Sequence, residues 1–350
     1  MSPGASDFRS LERSNRRRTA ALIAVFVLVL GALGFGLDLL VGDLRFDQDG
    51  GMTGFPMLTI AALVIAVVQA FVSYYAGARL VLAAMHAARL SPASPKSQMA
   101  LDVAREMALA ARLPTPALYL VNDPAPNAFA VGRDPGHAAI CVTQGLLDVM
   151  DREELQGVIG HEMAHVRDYD VRTMTIVAVM VGAIALLGDF LSRWIWFGGE
   201  SSDQREDGSR GGGLTALVVL VLGLLAPLIA QLIAMAVSRE REYLADAASV
   251  EFTRNPRGLL RALEQIAATT SPLKHASRAT AHMFIVNPIA GAGASGDDEG
   301  GEGRFAALFS THPALARRIE RLRAMLGQNK AASAPSRASD TRPDGSPLRP

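Results

Sequence analysis

The sequence predicts a mostly α-helical membrane protein, with about four transmembrane helices and a cytoplasmic α+β domain that holds a small sheet. Three observations lead there. Half of the 350 residues are hydrophobic but only 6 % are aromatic, and the apolar residues gather in long runs. Basic residues flank the first two runs on one side, and acidic residues lie between them. After the second run the pattern changes to that of a folded domain, with one amphipathic helical stretch and several short β-rich ones. The formal net charge is zero, so nothing points to nucleic acid as a partner. The single cysteine, Cys141, excludes a disulfide framework within the chain, and its place in the strand-like AAICVT marks it as a buried structural thiol.

Residues 1–18 form a polar, cytoplasmic segment carrying Arg9, Arg13, Arg16, Arg17 and Arg18. A first transmembrane helix is expected over 19–42, because its uncharged run is long enough to span about 30 Å of hydrocarbon. A cleaved signal peptide is the competing reading. The run is too long for a typical signal core, however, and no small-x-small cleavage site follows it. A short acidic loop with Asp43, Asp47 and Asp49 leads to a second transmembrane helix over 55–82. Its uncharged run ends at Ala78, and Arg79, His86, Arg89 and Lys96 follow, so both outer flanks, and the N-terminus, are expected in the cytoplasm.

The first part of the domain covers 92–170. A linker, SPASPKS, precedes an amphipathic helix over 98–113 with Met99, Val103, Met107 and Ala110 on one face. The segment 117–142 reads as strands separated by turns at Asn122-Asp123-Pro124 and Asp134-Pro135-Gly136. Residues 171–197 and 214–238 are read as the third and fourth transmembrane helices, with Asp189, Pro227 and Gln231 inside them. A helical hairpin buried in a soluble core is the alternative for this pair. The Gly/Ser/charge-rich loop between them, 198–213, is expected outside the cytoplasm. The domain resumes over 239–328, with helices expected at 256–268 and 309–326 and a low-complexity stretch at 291–304. Residues 329–350, rich in Ser, Pro, Ala and Arg, are expected to be a disordered tail.

The chemistry is concentrated in LQGVIGHEMAHV, residues 155–166. Asp151, Glu153 and Glu154 suit the first turn of a helix, and Leu155, Val158, Ile159 and Met163 repeat at helical spacing. On that helix His161 and His165 are offset by about 40°, so both rings project toward one point, with Glu162 beside it. This H-E-x-x-H pattern supplies two imidazole ligands for Zn²⁺ and a carboxylate that takes a proton from the attacking water. A catalytic zinc needs a third protein ligand. A histidine six residues after His165 is ruled out, because position 171 is valine, and no glutamate lies between Val166 and Gly199. Glu200 falls beyond a membrane span, which leaves Glu240, Glu242, Asp246 and Glu251. Glu242 and Asp246 share a helix face, so one of them suits the metal and the other the free N–H of a ligand histidine. A hairpin of the third and fourth spans would return them to the membrane surface that carries His165.

These motifs together resemble the M48 family of integral-membrane zinc metalloproteases, and within it the bacterial heat-shock branch. The resemblance covers roughly residues 15–325. It rests on DPAPNAFAVG (123–132), VTQGLLDVMDREELQGVIGHEMAHV (142–166), SREREYLADAASV (238–250), FIVNP (284–288) and STHPALARRI (310–319). It implies a zincin-like protease domain with one Zn²⁺ per chain, held by His161, His165 and Glu242, and with Glu162 as general base. It makes Asp246 the partner of a ligand histidine and His312 a donor to the developing oxyanion. Asn127, Ala128, Phe129, Ala130 and Val131 become an edge that pairs with an extended substrate. Arg317 or Arg318 is expected to pair with Asp246 or with substrate. The implied substrates are unfolded or damaged membrane proteins, cut on the cytoplasmic side of a bacterial inner membrane by a multi-pass protein in contact with the lipid bilayer. The stretch 291–304 and the tail after Gln328 depart from the family pattern, and neither contains one of these residues.

Three rivals are weaker. An intramembrane protease would bury the motif in a span, whereas Arg152, Glu153, Glu154, Arg167 and Asp168 flank it here. A prenyl-protein endoprotease of the same family would need a larger transmembrane chamber than about four spans provide. A non-catalytic zinc-binding membrane scaffold would not need Glu162.

Overall fold

The computed structural model describes residues 5–41, 44–46, 52–198, 239–269, 273, 276–277, 279–286 and 315–333. The expected fourth span, the 198–213 loop apart from its first residue, the 291–304 stretch, His312 and the tail beyond Ser333 lie outside these residues.

Helix α1 (Ala5–Val41) and helix α2 (Met57–Ala84) form an antiparallel pair, joined through a small hairpin of β1 (Leu44–Phe46) and β2 (Met52–Gly54). Helix α1 begins well before the expected span, because the arginine-rich segment is made of good helix formers and continues the same helix. The hairpin occupies what reads in the sequence as a plain acidic loop. Close packing of the pair depends on Gly34: a Cβ there would stand 2.7 Å from the Leu58 carbonyl and 2.8 Å from Thr59 Cα. Asp38, at the far end of α1, caps α2. Its carboxylate accepts from the backbone N–H groups of Leu58 (2.9 Å) and Thr59 (2.8 Å) and from the Thr59 hydroxyl (2.6 Å), donors that a helix start otherwise leaves unsatisfied.

Asn15–Leu39, within α1, and Met57–Ala84 are each long and apolar enough to cross a membrane. Their outer faces carry exposed residues such as Leu28, Ile65 and Phe71, as a lipid-facing surface does. Helix α6 (Asp170–Gly198) meets the same criterion only when joined to the helix before it, and the two are bent by 85°. Among the described residues, two of the expected four spans therefore stand by themselves. A core of Leu22, Phe26, Ala66, Ala70, Ile176, Val177, Met180 and Val181 binds α1, α2 and α6 together.

The domain has a four-stranded sheet in the order β3 (Ala88–Arg89), β4 (Ala117–Val121), β6 (Ala138–Thr143), β5 (Ala128–Gly132). β4 and β6 are parallel, and the outer pairs are antiparallel. One face, with Leu118, Ala128, Ala130, Ile140 and Val142, packs on helix α3 (Pro95–Ala111) and on α5 (Arg152–Arg167). The other, with Val121, Phe129, Val131 and Cys141, packs on Val81 and Leu82 of α2 and on Met174 and Ala178 of α6. Burial on both faces explains why β5 and β6 read as continuous apolar runs rather than alternating ones. Cys141 is fully buried there. Burial, with the charge of Glu162 added, pushes its thiol pKa up and keeps it unreactive.

A short α4 (Gln144–Val149) leads into α5, which is wrapped by α3, α7 (Arg239–Thr253) and α8 (Pro256–Ala267). α5 and α8 meet backbone to backbone. A Cβ on Gly157 would lie 2.4 Å from the Leu259 nitrogen, and one on Gly258 would lie 2.2 Å from the Glu153 carbonyl. Helix α9 (Leu315–Ser333) covers α8 and runs five residues into the stretch expected to be tail.

Candidate metal centre

Helix α5 starts with a capping box. The Asp151 side chain accepts from the Glu154 N–H at 2.9 Å, and the Glu154 side chain accepts from the Asp151 N–H at 2.9 Å. Its C-terminal end is fixed by Tyr169, which adopts a left-handed backbone conformation (φ 62°) and turns the chain sharply into α6. Between these ends α5 presents His161, Glu162 and His165. Helix α7 lies against it along a seam of small residues: Ala164 packs on Ala245 and Ala248, and Ser249 donates to the Gly157 carbonyl at 2.7 Å. That close approach sets Glu242 and Asp246 of α7 beside the two histidines.

The Nε2 atoms of His161 and His165 face each other at 3.2 Å. Glu242 reaches both, with Oε2 at 3.6 Å from His161 Nε2 and Oε1 at 3.6 Å from His165 Nε2. One donor atom from each of the three residues fits within a 4.8 Å cluster. The outward nitrogens are engaged by carboxylates: Asp246 Oδ1 lies 3.0 Å from His161 Nδ1, and Asp170 Oδ2 lies 3.3 Å from His165 Nδ1. Carboxylates at both Nδ1 positions favour the tautomer with its proton there, which leaves two Nε2 lone pairs converging on one point. Two lone pairs and a carboxylate at such spacing need a cation between them. Glu162 adds the second indication, since its Oε1 is buried with no hydrogen-bond partner among the described residues. This donor set fits a metal ion of the zinc type.

The electrostatics follow from burial. His161, Glu162, His165 and Glu242 are each at most 5 % exposed. Desolvation raises the Glu162 pKa against the opposing pull of the two histidines. For His165 burial disfavours the charge, but Asp170, Glu242 and Glu162 outweigh it and raise the pKa to about 9. Asp246 is also desolvated, yet it stays below the usual carboxylate range because Arg318 and the His161 N–H face it.

Of the two arginines the sequence leaves open, Arg318 is the one at the site. It grips Asp246 with two hydrogen bonds, Nε to Oδ2 at 2.9 Å and Nη2 to Oδ1 at 2.6 Å. Its Nη1 lies 3.4 Å from Glu242 Oε2 and donates to the Ile285 carbonyl at 2.7 Å. Ala128, Phe129, Ala130 and Val131 lie on β5, an edge of the sheet, with Asn127 just before it, but that edge is not open. The Ile285 N–H donates to the Ala128 carbonyl at 3.0 Å, Asn127 Nδ2 donates to the Val286 carbonyl at 2.8 Å, and the Phe129 and Phe284 rings meet with centroids 4.8 Å apart and planes tilted by 60°. The chain's own residues 284–286 thus lie between β5 and Arg318.

Sequence reading missed Asp170, Arg241 and Asn15. Arg241 donates to Asp170 at 2.7 Å and Asn15 donates to it at 2.9 Å. The available signal was the rule that a ligand histidine pairs its second nitrogen with a carboxylate, applied to His165 as well as to His161.

Residues 95–326 match the model of peptidase family M48. A protease HtpX homolog of Caldanaerobacter subterraneus subsp. tengcongensis is 40 % identical over 316 residues, covering 90 % of this chain and 97 % of that protein. The homolog of Thermoanaerobacter pseudethanolicus is 40 % identical with the same coverage. That of Lactobacillus helveticus is 40 % identical over 317 residues, covering 89 % of this chain and 97 % of that protein. No solved structure matches.

Proposed function

Because the chain belongs to peptidase family M48 and is a metalloprotease, we propose that it is a membrane-embedded zinc endopeptidase that cuts misfolded or damaged membrane proteins in protein quality control. One observation carries the reading: two Nε2 lone pairs 3.2 Å apart, Glu242 as the third corner, and the partnerless Glu162 oxygen beside them. His161, His165 and Glu242 would hold the zinc. When bound, the ion supplies a Lewis acid for the scissile carbonyl and makes water more acidic.

The chain's own residues do the rest. Glu162 takes the proton of the attacking water at Oε1 and returns it to the leaving amine, and a pKa raised by burial suits both steps. Asp246, itself gripped by Arg318, holds the His161 ring in register. His312, in Thr311-His312-Pro313, is assigned to the developing oxyanion on its motif. An extended substrate adds to β5 along Asn127–Val131, which requires residues 284–286 to leave that edge. The bonds to Ala128 and Asn127 are worth about 0.5–1.5 kcal/mol each and the charge-assisted one from Arg318 to the Ile285 carbonyl about 1.5–3 kcal/mol, and a substrate strand making the bonds to β5 recovers the first two. The charge flanks support a multi-pass inner-membrane protein with a cytoplasmic site, spanned by α1, α2, α6 and residues 214–238.

The test is Glu162→Gln in the full-length protein. It should retain zinc and lose roughly 10²–10⁴-fold in cleavage of a fluctuating membrane-protein substrate. Undiminished cleavage by the purified variant would sink the assignment. Reporter fusions within 198–213 check the topology, since a cytoplasmic signal there contradicts it.

A further inference from the structure

Asp170 stands at the head of α6, where four helices meet. Its Oδ2 faces His165 Nδ1 at 3.3 Å. Its Oδ1 accepts from Arg241 Nη1 at 2.7 Å and from Asn15 Nδ2 at 2.9 Å. Arg241 is the residue before Glu242 on α7, and Asn15 lies on α1 just before its most apolar part. Asn15 Nδ2 also donates to the Asp168 carbonyl at 2.5 Å, and one turn further along α1 the Thr19 and Thr173 hydroxyls meet at 3.0 Å. All of these polar groups are buried: Asn15 is 4 %, Thr19 5 % and Asp170 3 % exposed. Bonds in such surroundings are not traded freely for water, so each partner restricts where the Asp170 carboxylate can point.

We infer that Asp170 is a positioning residue that ties the metal centre to the first membrane helix, orienting His165 while Asn15 of α1 and Arg241 of α7 hold it in place. The membrane pair is then part of the outer sphere of the metal site as well as its anchor. Arg241 matters twice: its charge offsets that of Asp170, and its bond fixes the start of α7 one residue from Glu242. This rests on the reading of His165 as a metal ligand.

The test uses the full-length protein in detergent, with zinc affinity measured by chelator competition and the visible spectrum of the cobalt-substituted form as a report on ligand geometry. Asp170→Asn keeps the size of the side chain and removes its charge. It should weaken zinc binding by about 10- to 100-fold and shift the cobalt bands, with the helical content of the metal-free protein unchanged. Asn15→Leu should weaken binding by roughly 2- to 10-fold, the scale of one hydrogen bond, and should add little in the Asp170→Asn background. If Asp170→Asn does not yield folded protein, Asn15→Leu carries the test alone, and wild-type affinity in that variant overturns the link to α1. His165→Ala separates the two readings. Loss of zinc in His165→Ala, with wild-type affinity and spectrum in Asp170→Asn, overturns the inference and leaves the ligand assignment standing. Wild-type affinity in His165→Ala overturns the ligand assignment and the inference with it.

Discussion

Arg318→Met tests how the buried charges of the site are balanced. Arg318 is 1 % exposed, and its guanidinium faces Asp246 through two hydrogen bonds and Glu242 at 3.4 Å. Methionine has a similar length and no charge, so the change removes the cation without opening a large hole. Breaking a buried ion pair from one side costs about 3–5 kcal/mol, because the remaining carboxylate stays desolvated without its counter-charge. The pH dependence gives a second handle. In the native protein burial alone would raise the Asp246 pKa, but Arg318 and the His161 N–H bring it below its ordinary value. A lowered folded-state pKa stabilises the protein above the unfolded value of about 3.9 and loses that contribution as pH falls through the folded one. Without Arg318, burial dominates and the folded pKa moves above the unfolded value. The folded state then binds the extra proton, so stability falls as pH rises. Denaturant titration of metal-free protein in detergent should therefore show a penalty of about 3–5 kcal/mol near neutral pH that shrinks toward pH 5. A penalty below about 1 kcal/mol, or one that is the same at both pH values, would refute the account of Arg318 as the counter-charge.

Two further outcomes follow from the packing around the site. Gly258→Ala places a Cβ 2.2 Å from the Glu153 carbonyl, where backbone must move, and should cost about 1–3 kcal/mol or more in stability while weakening metal binding by tilting α5; equal unfolding midpoints for variant and parent would show that the helices have slack. Ile285→Pro removes the N–H that donates to the Ala128 carbonyl, so chelator should strip the metal several-fold faster and cleavage at limiting substrate should rise. Unchanged stripping and cleavage rates would mean that residues 284–286 do not gate the site.

The parts legible in the sequence are those set by local spacing. His161, Glu162 and His165 need only one helix turn, and Asp151 with Glu154 announces where that helix begins. The strands at 117–121 and 128–132 were readable as apolar runs between turn residues. What was not legible depends on contacts between distant segments. The choice of Arg318 over Arg317 is made by the docking of α9 on α8, where Leu322 is buried one turn after Arg318 and fixes which face turns inward. The two-residue strand β3 and the β1–β2 hairpin are too short to leave a periodic pattern. Asp170 was hidden because a continuous helix would carry it around and away from His165. The left-handed turn at Tyr169, a residue type with no strong preference for that conformation, brings it back.

The same packing explains how a third donor, Glu242, can reach the two histidines from so far along the chain. A metal site of this kind needs the carboxylate of α7 at a fixed depth against α5, and depth between helices is set by the side chains at the contact. Here the contact is made by Gly160, Ala164, Ala245, Ala248 and Ser249, where a Cβ on Gly160 would already stand 3.0 Å from the Ser249 hydroxyl. Small residues leave little freedom to slide, so the register of α7 is fixed by the seam itself. Two anchors at its N-terminal end, Arg241 on Asp170 and Arg318 across Glu242 and Asp246, then fix its rotation. Position and rotation of α7 are thus both determined by contacts inside the domain, which is what allows Glu242 to meet two histidines 77 and 81 positions before it in the chain.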